Sequence, residues 1–225
     1  MIFRPLLAGA NLRDRLLASI GALVGIAVTY LLCAIMLPVD ISLPLMVAPI
    51  GASAVLIFAV PASPLAQPWP VIGGNVVSVL VGVTAARFVP SLPVAVGVAV
   101  GGAILTMSLL RCLHPPGGAA ALIAVIGGPA VTYAGYGFAL VPVGLNAVVL
   151  IALGLIFHLF SGHTYPHRPA GLTARTAEAD LLRADIDAAL QDLGETFDVS
   201  PADLDQLLAR AEDHAARRRG AGGRL

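Results

Sequence analysis

The chain has 225 residues, of which 58% are hydrophobic and only 12% charged. A water-soluble domain carries about 25% charged residues, so an ordinary soluble fold is excluded. The zero formal net charge hides a split: residues 1–170 set six arginines against Asp14 and Asp40, whereas residues 171–225 hold eleven acids and seven arginines. No lysine occurs, and the basic side chains cluster only at Arg217, Arg218 and Arg219, so nucleic acid is not an expected partner.

Membrane-length apolar runs begin near the N-terminus. Crossing a hydrocarbon core of about 30 Å takes about 20 mostly apolar residues, and residues 16–37 supply such a run without a charge. It is too long for the apolar core of a secretion signal, and no small-x-small cleavage site follows at Leu37-Pro38-Val39, so a retained anchor is expected. Further spans are expected at 43–60, 71–89, 92–110, 116–132 and 136–160. Cys33 and Cys112 fall in or beside these runs and are expected to pack as small side chains, with no disulfide and no metal site.

The transmembrane domain is expected to occupy residues 1–169, closing near Tyr165-Pro166-His167-Arg168-Pro169. Residues 170–225 are expected to form a cytosolic tail of two amphipathic helices. The first covers about 173–193; the second opens with Ser200 as N-cap and Pro201 at its first position, as those residue types favour.

The membrane part repeats itself. Pro49-Ile50-Gly51-Ala52-Ser53-Ala54 parallels Pro115-Pro116-Gly117-Gly118-Ala119-Ala120, and Gly73-Gly74-Asn75 parallels Gly144-Leu145-Asn146. Each copy follows a glycine-spaced apolar helix, with Gly21 and Gly25 in one and Gly97 and Gly101 in the other; this spacing lets helices approach closely. The fold class expected is all-α: a polytopic membrane protein of six helical elements in two three-element inverted repeats, with short Pro/Gly-broken helices and a small helical tail. Broken segments at matching positions point to a substrate site. Arg4, Arg13 and Arg15 favour a cytoplasmic N-terminus. If the two Pro-Gly pieces cross, six spans return the tail to the cytoplasm; if they are re-entrant there are four. Arg87 and Arg111 fit either count, and the duplicated breaks favour six.

The chemistry-bearing stretch is Arg111-Cys112-Leu113-His114-Pro115-Pro116-Gly117-Gly118. A helix opening on glycines exposes backbone N–H groups at a positive dipole end, which suits an anion. Gly51, Ala52 and Ser53 offer the same in the other copy. Helix ends contribute at most about 2 kcal/mol, against an idealised dehydration cost on the order of 20 kcal/mol. Water, a fixed cation or a co-transported proton must therefore help, and Arg111 and His114 are the candidates. Asn75 and Asn146 are expected either as interhelical hydrogen-bond glue or as substrate lining. His158, His163, His167 and Trp69 are expected at the membrane boundary. Residues 41–167 hold no acid to act as a base, so neither enzymatic catalysis nor a cofactor is expected.

Leu113-His114-Pro115-Pro116-Gly117-Gly118-Ala119 resembles the signature of the HPP family of integral membrane proteins. Gly51-Ala52-Ser53-Ala54-Val55-Leu56, Pro61-Ala62-Ser63-Pro64-Leu65-Ala66-Gln67-Pro68 and Val71-Ile72-Gly73-Gly74 are similar to its other blocks, in order. The resemblance implies a multi-pass protein, usually counted as four-span, and nitrite transport, in which some photosynthetic members are implicated. It also marks a departure, since Asn75 stands where family members often carry histidine. Longer members append paired CBS domains, and residues 171–216 are similar to the linker before them; nucleotide regulation is not expected from this stretch alone.

The leading expectation is a small-anion carrier or channel of the cytoplasmic membrane, a homo-oligomer, with Gly51, Ala52, Ser53, Asn75, Arg111, His114, Gly117, Gly118 and Asn146 around the anion. The alternative is a non-transporting scaffold or sensor whose cytosolic tail binds a partner.

Overall fold

The computed structural model describes residues 12–36, 44–168 and 199–222. Proline opens five of the eight described α-helices: α2 (Pro49–Ala59), α3 (Pro68–Phe88), α5 (Pro116–Ile126), α6 (Pro129–Ala134) and the last, Pro201–Gly222. Its missing N–H falls among groups that a first turn leaves unbonded anyway. α1 (Leu12–Met36), α4 (Leu92–Leu109), α7 (Leu145–Ser161) and α8 (Pro201–Gly222) complete the set. A 3-10 turn at Pro64–Ala66 precedes α3, and a π-type turn at Ala139–Gly144 precedes α7. Among the described residues all regular structure is helical.

α1, α3, α4 and the run 139–161 are long and apolar enough to cross a membrane. α2 and α5 have 11 residues each and rise only about 16 Å, about half of a hydrocarbon core. Both nevertheless carry the chain between the two ends of the bundle. α2 runs from Val47, beside Asn146, to Ile57, beside Gly154 and His158. α5 runs from the Gly74 and Ser78 level of α3 towards the level of Gly82, which meets Ala121 and Ala124.

Two layers result. α1 lies antiparallel to α7, with Phe157 over Gly21 and Asn146 against Cys33, and α2 runs parallel to α7. In the second layer α4 lies antiparallel to α3, with Gly102 on Val81 and Met107 on Ser78, and α5 runs parallel to α3. The pairing is the same in both layers with the chain direction reversed, and each half lends its third long helix to the other layer. The close approach of α5 to α3 depends on glycine, because a Cβ on Gly82 would lie 2.5 Å from the Ala121 carbonyl oxygen. Gly21 and Gly25 accommodate the Phe58 and Phe157 rings, whereas Gly97 and Gly101 have nothing within 4 Å.

Three expected spans differ in extent. The run expected at 43–60 is helical only from Pro49, because the backbone at Leu45 and Val47 is bonded to Asn146 instead. The run expected at 116–132 divides at Gly127, whose N–H closes α5 on the Ile123 carbonyl; Gly128, at φ 88°, then turns the chain into α6. The run expected at 136–160 is interrupted at Val141, whose backbone is extended (φ −132°, ψ 117°) beside Pro142. The expected tail helix at 173–193 lies outside the described residues. Residues 1–167 and 168–225 form separate compact units. In the second, Ser200 caps α8 as expected, its hydroxyl accepting the Asp203 N–H at 3.1 Å.

Candidate functional site

His114 sits in the segment that leads into α5, with no exposed surface. Both ring nitrogens are held. Nδ1 lies 2.9 Å from the Leu65 carbonyl oxygen and Nε2 lies 2.8 Å from Ser53 Oγ. A carbonyl only accepts, so Nδ1 carries a proton. When the ring is neutral, Nε2 accepts the Ser53 hydroxyl. When the ring is charged, Nε2 donates to that oxygen and the hydroxyl turns to the Pro49 carbonyl, 3.2 Å away. Each protonation state thus finds a full set of partners.

Neighbouring segments are shaped to this ring. The turn before α3 delivers the Leu65 carbonyl: Ser63 Oγ accepts the Leu65 N–H at 3.1 Å, and Gln67 Nε2 donates to the Pro61 and Ser63 carbonyls at 2.9 and 2.8 Å. On α3, a Cβ at Gly74 would fall 2.5 Å from that of His114, so only glycine leaves room. Asn75 follows, fully buried, with Nδ2 donating to Ser53 Oγ at 3.2 Å and to the Val71 carbonyl at 2.9 Å. Asn75 Oδ1 is buried and has no hydrogen-bond partner.

Asn146 belongs to a different cluster. Its Oδ1 accepts the Val47 N–H at 3.2 Å, and its Nδ2 donates to the Leu45 carbonyl at 3.0 Å and to Cys33 Sγ at 3.1 Å. This is the glue role, fastening the approach to α2. Gly51 and Ala52 are exposed, and so is Arg111. Gly117 is buried against α3, where a Cβ would meet Ser78 Oγ at 2.5 Å, while Gly118 has open space. The structure therefore brings Ser53, Asn75 and His114 into one cluster, with Gly117 packed beside it, and leaves the others outside.

The two broken helices do not aim their positive ends into one pocket. α2 and α5 run antiparallel and overlap near their first turns, with Ser53 of α2 bonded to His114 just before α5, so their positive ends point past each other. Their early donors are also engaged: Gly51 N–H with the Ala48 carbonyl, Gly117 N–H with His114, Gly118 N–H with Pro115. The reversed direction of the two halves is the physical reason.

Arg111 closes α4. Its N–H bonds to the Ser108 carbonyl, and the Cys112 N–H reaches back to Met107, while Arg111 itself adopts φ 53°. This is a helix end that glycine ordinarily fills, as Gly162 (φ 82°) does after α7. Trp69 is 56% exposed and donates to the Leu110 carbonyl at 3.1 Å. His158, by contrast, is buried between the Ile57 carbonyl and Ser161 Oγ. Tyr165 donates to the Ala66 carbonyl at 2.8 Å, and burial pushes its phenol above the ordinary range. Reasoning from sequence missed the Leu65 carbonyl, for which a backbone group leaves no signal, and the Gln67 clamp, whose proline-rich setting was visible.

The transmembrane region of the HPP family matches residues 8–166. The chain belongs to the HPP family. It is a multi-pass membrane protein, and the four blocks that carry the HPP resemblance meet at His114, through Ser53, Leu65, Gly74 and the His-Pro-Pro segment itself. A transmembrane protein of Dictyostelium discoideum is 36% identical over 132 residues, covering 56% of this chain and 46% of the relative. A second from the same organism is 38% identical over 115 residues, covering 49% and 37% respectively. The chain thus spans less than half the length of these two relatives. No solved structure matches it.

Proposed function

We propose that this HPP protein moves a small inorganic anion across the cytoplasmic membrane, nitrite being the substrate that the family resemblance suggests, and that it is not an enzyme. The observation that carries the reading is the cluster of Ser53, Asn75 and His114, fully buried where two half-length helices cross. Buried polar groups within a membrane bundle are costly and mark solute or proton pathways, and discontinuous helices are where transporters place them.

Arg15 and Arg111 lie towards the end of the bundle where α1 starts and α4 ends, whereas Arg87 lies at the far end of α3. By the charge rule that end faces the cytoplasm. Exposed Arg111 would then attract the anion to a mouth near His114, in a backbone conformation that costs an arginine about 1 kcal/mol or more. The test is nitrite uptake by proteoliposomes of the purified chain, set against empty vesicles. Uptake above the empty control, lost in His114→Ala and Ser53→Ala, supports the reading; uptake equal to the control overturns it.

A further inference from the structure

Within the cluster around His114, the one buried side-chain nitrogen or oxygen without a partner is an acceptor. Asn75 is fully buried and its Oδ1 has no partner, whereas both Nδ2 bonds are made and both ring nitrogens of His114 are engaged. A bare anion needs donors, and this site offers it a lone pair instead. Nor, among the described residues of the membrane unit, is there a fixed counter-charge at the cluster: Arg13, Arg87 and Arg111 are exposed and Arg15, half-buried, donates to the Ala59 carbonyl. The other titratable groups packed near the ring are the Cys112 thiol, against Gly73, and the Tyr165 hydroxyl, bonded to the Ala66 carbonyl. Around the ring α2 presents Ser53, α3 presents Gly74 and Asn75, and α4 presents Met107 to the adjoining Ser78 and Gly117; none is charged.

Resting on the transport reading above, we infer that the solute passes Asn75 as a neutral protonated acid, its O–H donated to Asn75 Oδ1. The balance is simple. On one side the anion's oxygen takes a proton from hydronium in the bulk, forming an O–H bond and leaving water. On the other side that bond breaks and releases anion and proton together, with nothing bonded to the protein. One proton moves per anion and no net charge crosses. Ser53 borders the passage, and its hydroxyl goes to His114 Nε2 when the ring is neutral and to the Pro49 carbonyl when it is charged. A buried acceptor without a partner carries a desolvation penalty, which an arriving O–H donor relieves.

The experiment uses proteoliposomes of the full chain with a trapped pH dye, sodium nitrite outside, and a potassium–valinomycin clamp; leak through protein-free vesicles is subtracted. A step of about 60 mV shifts the equilibrium accumulation of a singly charged solute about tenfold. Expected are accumulation unchanged by that step, internal acidification of one proton per nitrite, and a flux at least tenfold lower in Asn75→Leu of unchanged elution profile. Accumulation that follows the voltage, or Asn75→Leu flux equal to the parent's, overturns the proton inference while leaving transport standing. No flux above protein-free vesicles removes the transport reading and this inference together. The charge carried by the parent chain decides the matter even if the variant fails to fold.

Discussion

The approaches to α2 and α5 invite comparison, because each is an irregular segment lying against a long helix that carries a buried asparagine. Before α2, Asn146 spends every group it has, on Val47, Leu45 and Cys33. Before α5, Asn75 keeps an oxygen free, and the companion is an ionisable ring held by a hydroxyl that can face either way. A saturated amide between backbone groups is a fastening; an unsaturated one beside a histidine is, on the proposed transport reading, where the solute would dock. The same residue type at matching positions thus performs unlike tasks.

Substitutions can break or sharpen this contrast. The largest loss is expected for Asn146→Leu, which strands the Val47 N–H and the Leu45 carbonyl; at about 1–3 kcal/mol per buried unpaired group, thermal unfolding in detergent should show a loss on the order of 3 kcal/mol. Gly117→Ala comes next, since its Cβ meets Ser78 Oγ and the Gly74 carbonyl oxygen at 2.5 and 2.9 Å; overpacking of this kind costs about 1–3 kcal/mol. Arg111→Gly should act the other way, raising stability by about 1 kcal/mol at φ 53° while lowering nitrite uptake. Asn75→Leu should change stability by less than about 1 kcal/mol, because Ser53 keeps His114 and Val71 keeps its helix bond. Smallest is Gly118→Ala, with open space around it, where a gain of up to about 1 kcal/mol in helix propensity is the ceiling. Equal losses for Asn75→Leu and Asn146→Leu would erase the distinction between site and fastening.

The sequence displayed the spans because long uncharged runs have one solution in a bilayer. It also displayed the breaks: Pro49 and Pro116 open the short helices, and Gly127-Gly128-Pro129 signals the stop after α5 that the expected span ran through. Ser53, Asn75 and His114 were visible as polar residues in apolar surroundings. Their grouping was expected, but with Asn146 and Arg111 included; the exclusion of Asn146 was not visible, because it depends on which helices the two halves exchange. Gly117 and Gly118 look alike as letters; only the nearness of α3 makes one a packing surface and the other dispensable. Leu65 could not be found by side-chain chemistry, since its carbonyl is what matters.

The way the chain leaves the membrane unit has a mechanical corollary. Tyr165 is tied to the Ala66 carbonyl and the His167 N–H to Gln67 Oε1, one and two residues from the carbonyl that orients His114. Tension applied beyond Arg168 would therefore reach the imidazole through a single short turn. The exit segment and the Leu65 carbonyl share one anchoring turn, so a substitution that frees Tyr165 would also loosen the hold on that ring.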